Sequence, residues 1–353
     1  MKRIGLLTFH DTTNFGSWLQ TYALYEKVRQ LGYNAEIIDY RCKGIELREK
    51  LSIDKMHSMS IESIILQIKK QIAFYLYSQK YLRISKKKYT KENIYMANGK
   101  YDMYLLGSDL VWDLNITYDD TTYMFDFLNE GNARCAYAAS SGRDHIPELQ
   151  RDVFKKYLKK FNSISVREIG MVNDIEELIE KEVNHVCDPT WLLNYDEWKN
   201  FIKKRKIKEK YVLIYFVDGK GNLSRLAKKY ARKHGLKVCA INRDFNIDLS
   251  EEINPISIKD FLSLIFYAEK VFTASYHGMM FSMIFNKQFV FYPFAPATRM
   301  QSIANKFKLE KMNIESPEFE LNARIDYELV NKKMNEFRLE SINNLKDMLK
   351  TIQ

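Results

Sequence analysis

The sequence predicts an α/β protein made of two doubly wound domains in tandem. Three observations carry this. Short apolar runs alternate with longer segments whose apolar residues recur at helical spacing. A charged stretch, DEWKNFIKKRKIKEK at 196–210, interrupts the alternation, which then restarts. A length of 353 residues suggests two domains or one large one.

The elements follow in order. RIGLLTF (3–9) is the first strand, HDTTNFGS (10–17) a turn-rich loop, and WLQTYALYEKVRQLG (18–32) a helix closed by Gly32. NAEIIDY (34–40) is a second strand, so the pair is parallel with a right-handed crossover. Residues 44–98 break the rhythm and read as a helical insertion, in which 60–89 is expected to be helical throughout. Strands resume at 101–108 and 133–142, followed by a helix at 146–161, a short strand SISV at 163–166 and a strand over 184–193 that turns at Pro189. After the charged stretch come strands at 211–218, 237–242, 270–275 and 289–293, with helices at 222–234, 257–268 and 277–286 between them. The expected domains are 1–195, 208–325 and a polar amphipathic helix at 326–353 that packs back on the first.

Composition narrows the function. Hydrophobic residues at 46% and charged residues at 28% are globular values. A formal charge of +10 suits nucleic acid, anionic lipid or an anionic small substrate, and composition does not choose among them. The chain carries no reading helix, zinc finger or RNP-like strand, which argues against a nucleic-acid partner. Cys42, Cys135, Cys187 and Cys239 are too far apart for a zinc or redox pair and read as reduced thiols. The N-terminal apolar run is short for a signal peptide and no run approaches a bilayer span, so a cytoplasmic protein is expected, at most peripheral at the inner membrane face. No G-x-G-x-x-G or Walker pattern is present. Asp109, Asp113, Asp119 and Asp120 do not follow a calcium-loop spacing, so neither metal nor cofactor is expected.

In doubly wound sheets ligands sit beyond the carboxyl ends of the strands, and four segments fall there. The loop at 10–17 offers His10, Thr12, Asn14, Gly16 and Ser17 before a helix N-terminus, where backbone N–H groups bind oxygen-rich or anionic groups. LLGSDLVWD (105–113) places Ser108 and Asp109 at a strand end, with Trp112 either on a sugar face or in the core. SISVREIG (163–170) puts Arg167 and Glu168 at a helix start, as an anion-clamping fork or as a local surface pair. In VFTASYHGMMFSMIFNK (271–287), Ser275, Tyr276, His277 and Gly278 join a strand to a helix. A lone histidine there is ordinarily structural.

Taken together, NFGSWLQTYAL (14–24), LLGSDLVW (105–112), YAASSG (137–142), SVRE (165–168), DPTWLL (188–193) and TASYHGMMFSMIFNK (273–287) resemble, in order and position, the polysaccharide pyruvyl transferase family. The resemblance covers about residues 3 to 310. Departures are Trp18, Leu110, Ser141 and Ala274, where the family commonly has a small residue, Gln, Phe and a polar residue.

The resemblance implies a GT-B-like fold, two Rossmann-like domains facing a central cleft. It implies transfer of the enolpyruvyl group of phosphoenolpyruvate to two sugar hydroxyls, with phosphate released and a pyruvate ketal formed, in surface polysaccharide (capsule or exopolysaccharide) biosynthesis. The donor falls to the C-terminal domain and the acceptor to the N-terminal one. Arg167, Ser275, Tyr276, His277, Gly278, Arg299 and Lys311 are then the expected donor residues, with His277 as acid or phosphate ligand and Arg167 as first clamp. His10, Thr12, Asn14, Phe15, Gly16, Gln20, Ser108, Asp109 and Trp112 are the expected acceptor residues. A hexose 4,6-diol, on a lipid diphosphate carrier, is the expected acceptor. Segment 60–89 then has two expected fates. Its apolar face (Ile64, Ile65, Ile68, Ile72, Phe74, Leu76, Tyr77), with Lys69, Lys70, Lys80 and Arg83, lies on an anionic bilayer or packs inside the domain. The alternatives are a GT-B glycosyltransferase using a nucleotide sugar and, outside enzymes, a basic nucleic-acid-binding protein.

Overall fold

The computed structural model describes residues 1–57, 59–215, 222–241, 254–293 and 298–351. The chain divides into two units, Met1–Leu193 with Glu336–Gln353, and Asn194–Asn335.

The first unit opens with β1 (Arg3–Leu7), α1 (Phe15–Gln30) and β2 (Asn34–Tyr40). Short helices α2 (Lys43–Glu49) and α3 (Ile53–His57) lead to the long α4 (Ile61–Tyr81) and to β3 (Ile84–Tyr89). The unit continues through β4 (Met103–Leu106), α5 (Leu114–Thr117), β5 (Ala133–Ala139), α6 (Arg151–Leu158), β6 (Ser163–Val166), α7 (Gly170–Ile179) and β7 (Val183–His185). The strands form one parallel sheet in the order β3-β2-β1-β4-β5-β6-β7. β4 is buried at all four positions, as a central strand covered on both faces must be. The order reverses between β1 and β4, the switch point where such sheets gather ligands.

One expectation is corrected here. The segment 60–89 is not helical throughout, because the chain turns extended at Leu82 (φ −117°, ψ 140°) and 84–89 joins the sheet as its edge strand. Ser85 and Tyr89 point inward while Lys86 and Lys88 are exposed, and lysines suit a sheet edge because they discourage pairing with another strand.

The second unit contains α8 (Tyr195–Lys199), β8 (Tyr211–Tyr215), α9 (Asn222–His234), β9 (Lys237–Ile241), α10 (Ile258–Tyr267), β10 (Lys270–Thr273), α11 (Tyr276–Ile284), β11 (Gln288–Phe291) and α12 (Thr298–Phe307). Its four strands are parallel in the order β11-β10-β8-β9, so the switch point lies between β8 and β10. The expected end of the first strand of this unit, 216–218, and residue 242 lie outside the described residues. The last helix, α13 (Tyr327–Lys350), belongs to the first unit from Glu336 onward. There Ser341 Oγ accepts the Cys187 N–H at 2.9 Å, and the Phe337 ring lies 5.1 Å from His185. The four cysteines are free thiols and buried.

Lys270 opens β10 and is 2% exposed. Its Nζ donates to the Leu321 carbonyl at 2.6 Å and sits 4.8 Å from the Tyr230 ring centre. Burial pushes its ammonium down to about 8, from an ordinary value of 10.5. Below about pH 8 the native state carries this charge at a cost. Between there and 10.5 the unfolded chain stays protonated while the folded one does not, so folding gains as pH rises. We expect Lys270→Met to be more stable than the parent at pH 7, with the gap narrowing over that window, as read by denaturant unfolding.

Candidate functional site

At the switch point of the first unit two motif segments bind each other. Asn14 caps α1, its Oδ1 accepting from the Gly16 and Ser17 N–H groups at 2.9 and 3.3 Å. Ser17 Oγ donates to Asp109, which sits at φ 75°. Thr8 Oγ1 donates to the Ser108 carbonyl at 3.1 Å and accepts from Gln20 Nε2 at 2.9 Å. Gln20 and Ser108 have no exposed surface, and Phe15 has 2%. The structure thus places Phe15, Gln20 and Ser108 inside the fold, not on a surface open to an acceptor.

Trp112 is corrected more sharply. It has no exposed surface, donates Nε1–H to the Tyr123 carbonyl at 3.2 Å, and packs edge-on to Phe154 and Phe161. No face remains on which a sugar could stack.

Three more motifs converge on Ser140. β5 carries a bulge with Ala138 at φ 52°. Ser165 Oγ fills it, donating to the Ala136 carbonyl at 3.2 Å and accepting the Ala138 N–H at 3.3 Å. The chain is thereby re-aimed so that Ser140 Oγ donates to Glu168 Oε1 at 2.6 Å. The same oxygen accepts from Arg167 Nη2 at 2.8 Å and from the Gly142 N–H at 3.0 Å. Arg167 Nη1 meets Asp188 Oδ2 at 2.7 Å, and Nε meets Glu168 Oε1 at 3.3 Å. Asp188 Oδ1 in turn accepts from the Thr190 N–H and hydroxyl at 2.9 and 2.7 Å. The Arg167 side chain is 1% exposed and its two carboxylate partners not at all. The anion clamp expected at this helix start is corrected to a buried guanidinium whose nitrogens each meet a protein oxygen. It is not a surface pair either.

A cavity of about 490 Å³ opens beyond the carboxyl ends of β1 and β2, walled on one side by α4 and by Ile84, Ser85, Lys86 and Lys88 of the edge strand β3. Of the expected acceptor residues, His10 and Thr12 line it. The sequence pattern did not mark the rest of its polar wall: Asp11, Thr13, Asp39, Arg41, Glu49, Lys50, Ser85, Lys86 and Lys88, with Gln71, Tyr75, Ser78 and Gln79 from α4. His10 Nε2 lies 3.0 Å from Asp39 Oδ1, which also meets Arg41 Nε at 2.7 Å. Asp11 pairs with Arg41 and, at 2.8 Å, with Lys50. Glu49 Oε2 accepts from Thr12 Oγ1 and Thr13 Oγ1, both at 3.2 Å. Burial by itself would raise the Asp39 and Asp11 carboxyls. The His10 and Arg41 partners of Asp39, and the Lys50 and Arg41 partners of Asp11, hold both below the usual range instead. The wall therefore offers ionised carboxylates and cations in fixed positions, a set that suits a polyhydroxylated ligand. The signal available in the sequence was an aspartate and an arginine closing the apolar run NAEIIDYR.

In the second unit the β10–α11 junction gathers most of the expected donor residues. Ser275 is the N-cap of α11, its Oγ accepting the Gly278 N–H at 3.3 Å. His277 is 8% exposed in the first turn, edge-on to Tyr276 at 5.3 Å. Arg299 places its guanidinium 5.2 Å from the Tyr276 ring centre. Gly278 has a different reason to be glycine than the close approach of a ligand. A Cβ there would collide with Thr273 Oγ1 and lie 2.7 Å from Tyr215 Cδ1, so the residue lets α11 close on the sheet. Lys311 stands apart, exposed and paired with Glu320 at 2.9 Å.

The profile of one family, described as polysaccharide pyruvyl transferase, matches residues 14–293. The chain belongs to that family. No curated protein matches it in sequence. Among solved structures it is similar to Arabidopsis thaliana UGT89C1 complexed with UDP, at 9% identity over 99% of each chain and a TM-score of 0.55. It is also similar to S. aureus MnaA with UDP, at 11% identity over 97% of this chain and 91% of that one, with a TM-score of 0.50. Likeness at such identity speaks to fold, and supports the GT-B-like class of two Rossmann-like units. In this member of the pyruvyl transferase family, the motifs YAASSG, SVRE and DPTWLL hold one another through Ser140, Arg167 and Asp188.

Arg167→Lys keeps the charge but loses the fork. We expect a folded protein whose thermal unfolding midpoint falls by several degrees, because one ammonium cannot serve Asp188, Glu168 and Ser140 in this geometry. Calorimetry checks this, and an unchanged midpoint would remove the network from the stability of the unit.

Proposed function

We propose that this pyruvyl transferase moves the enolpyruvyl group of phosphoenolpyruvate onto two hydroxyls of one sugar, forming a cyclic ketal and releasing phosphate. The observation that carries the reading is His277 in the first turn of α11, beside Ser275, Tyr276 and Arg299, in a chain of this family.

The chemistry asks for a proton and for positive charge. The donor carries roughly three negative charges near neutral pH. In this reading Arg299 and the N-terminal N–H groups of α11 meet the anion, and Ser275 holds the cap. His277 gives its proton to the methylene carbon, leaving an oxocarbenium-like centre at C2. A sugar hydroxyl adds there and its proton passes to solvent, the C–O bond to phosphate breaks and restores an oxocarbenium-like centre at C2, and the second hydroxyl adds to it, its proton leaving with the phosphate. The resulting imidazole is reprotonated from solvent, a role suited to histidine near neutral pH. Arg167 enters as a positioning residue, through Ser140, Glu168 and Asp188.

The cavity beside β1, β2 and β3 is the acceptor site of this reading, with Asp39, Glu49 and His10 toward the hydroxyls. The acceptor is a hexose presenting its 4,6-diol, carried on a lipid diphosphate. Cationic side chains take the place of a metal.

His277→Ala should abolish acceptor-dependent phosphate release, followed by ³¹P NMR, while the protein stays folded by circular dichroism. Near-normal turnover would take His277 out of the chemistry. Chelation of divalent ions should leave the rate unchanged, and a rate restored only by added Mg²⁺ would overturn metal independence. The fold likeness keeps a nucleotide-sugar transferase as the competing reading. Thermal shift separates the two, since phosphoenolpyruvate should raise the midpoint and nucleotide sugars should not.

A further inference from the structure

The helix α4 is amphipathic in the inverted sense. Its inner side is aromatic and polar. Phe74 packs 5.2 Å from Phe15, Ser78 Oγ accepts the Trp18 indole N–H at 2.9 Å, and Tyr77 and Tyr81 stand edge-on to Trp18. Its outer side is aliphatic: Ile61, Ile65, Ile68, Ile72 and Leu76 are 76, 46, 42, 54 and 58% exposed. Those positions recur at intervals of three and four, so they form one continuous stripe along a helix of 21 residues, about 31 Å long. Scattered exposed aliphatics are ordinary, but an unbroken stripe signals a surface that is covered in use.

The charge around the stripe says by what. Residues 53–89 hold eight Lys and Arg against two Asp and Glu, an excess of six in a chain whose net charge is +10. Lys69 and Lys80 are exposed on α4 beside the stripe, while Lys86 and Lys88 of the edge strand are exposed at the cavity that α4 also walls. Two copies of this face brought together would oppose like charges. An anionic lipid surface takes both features at once, the isoleucines at the acyl boundary and the ammonium groups among headgroup phosphates.

We propose that α4 is an interfacial helix that seats the first unit on an anionic bilayer. No helix among the described residues is long and apolar enough to cross one, so the mode is lying on the surface. The helix also contributes Gln71, Tyr75 and Gln79 to the wall of the cavity, so seating it brings the cavity beside the lipid headgroups. The inference stands on the surface of α4 and is independent of the reaction assigned above.

The test is flotation of the full chain with vesicles of phosphatidylcholine alone or mixed with phosphatidylglycerol. The parent should rise with the mixed vesicles at low salt, and less at high salt. Ile65→Gln with Ile72→Gln should weaken that partitioning about tenfold or more, with an unchanged melting midpoint, because both side chains are half-exposed. A parent that stays at the bottom with anionic vesicles overturns the proposal. So does a double variant that floats as well as the parent, since charge alone would then suffice. A concentration-dependent dimer in sedimentation velocity that the double variant disperses would assign the stripe to a second copy and overturn it equally.

Discussion

The buried guanidinium of Arg167 is the constraint around which the first unit is arranged. Stripping a charge of water is affordable only when partners are fixed at hydrogen-bond distance, and removing one partner of such a set costs on the order of 3–5 kcal/mol. Here Asp188, Glu168 and the Ser140 hydroxyl supply them. Each partner arrives from a different strand end, so the sheet must be in register before the charge is satisfied. The Ser140 hydroxyl has one proton to donate and two lone pairs, and all three are used. Its carbonyl accepts the Trp112 N–H at 3.0 Å, which ties the segment after β4 to the same point.

This arrangement divides the motif residues by what they do. Many hold loops against one another beneath the surface, as Gln20, Ser108, Trp112 and Arg167 do. The groups that face the 490 Å³ cavity are a different set, Asp39, Glu49, Arg41 and Lys50, each steadied by an oppositely charged or hydroxyl partner. In the second unit His277 rides on α11, buried at all nine of its residues. A helix apolar on every side and packed all round gives its first turn a fixed position, which is what a proton donor or an anion ligand requires.

The α4 segment shows where periodicity stops informing. Two apolar faces fit its sequence, one running through Phe74 and Tyr77 and one through Ile65, Ile68 and Ile72. The aromatic side took the inside, where Phe74 packs on Phe15, Tyr77 and Tyr81 meet the Trp18 ring, and Ser78 accepts the Trp18 indole N–H. The aliphatic face was left outside. Nothing in a single-helix pattern ranks those outcomes, because the ranking depends on what the neighbouring α1 offers.

The sequence by itself determined the class of the protein. Alternation of apolar runs with helical spacing, broken at 196–210, implies two parallel α/β units, and the motif order implies the family. Placement of Ser275 and His277 at a strand-to-helix junction was legible for the same reason: caps and turns are local. Tertiary structure alone decided which polar residues are buried in pairs and which face a cavity. Arg167 reads identically as a clamp or as a buried ion until Ser140 and Asp188 arrive from other strands. Trp112 reads as a stacking platform until Phe154 and Phe161 close on it. Residues 84–89 read as more helix until β2 offers an edge to pair with. In each case the deciding partner lies far away in sequence, and burial, the quantity that sets the energy, is a property of the assembled fold.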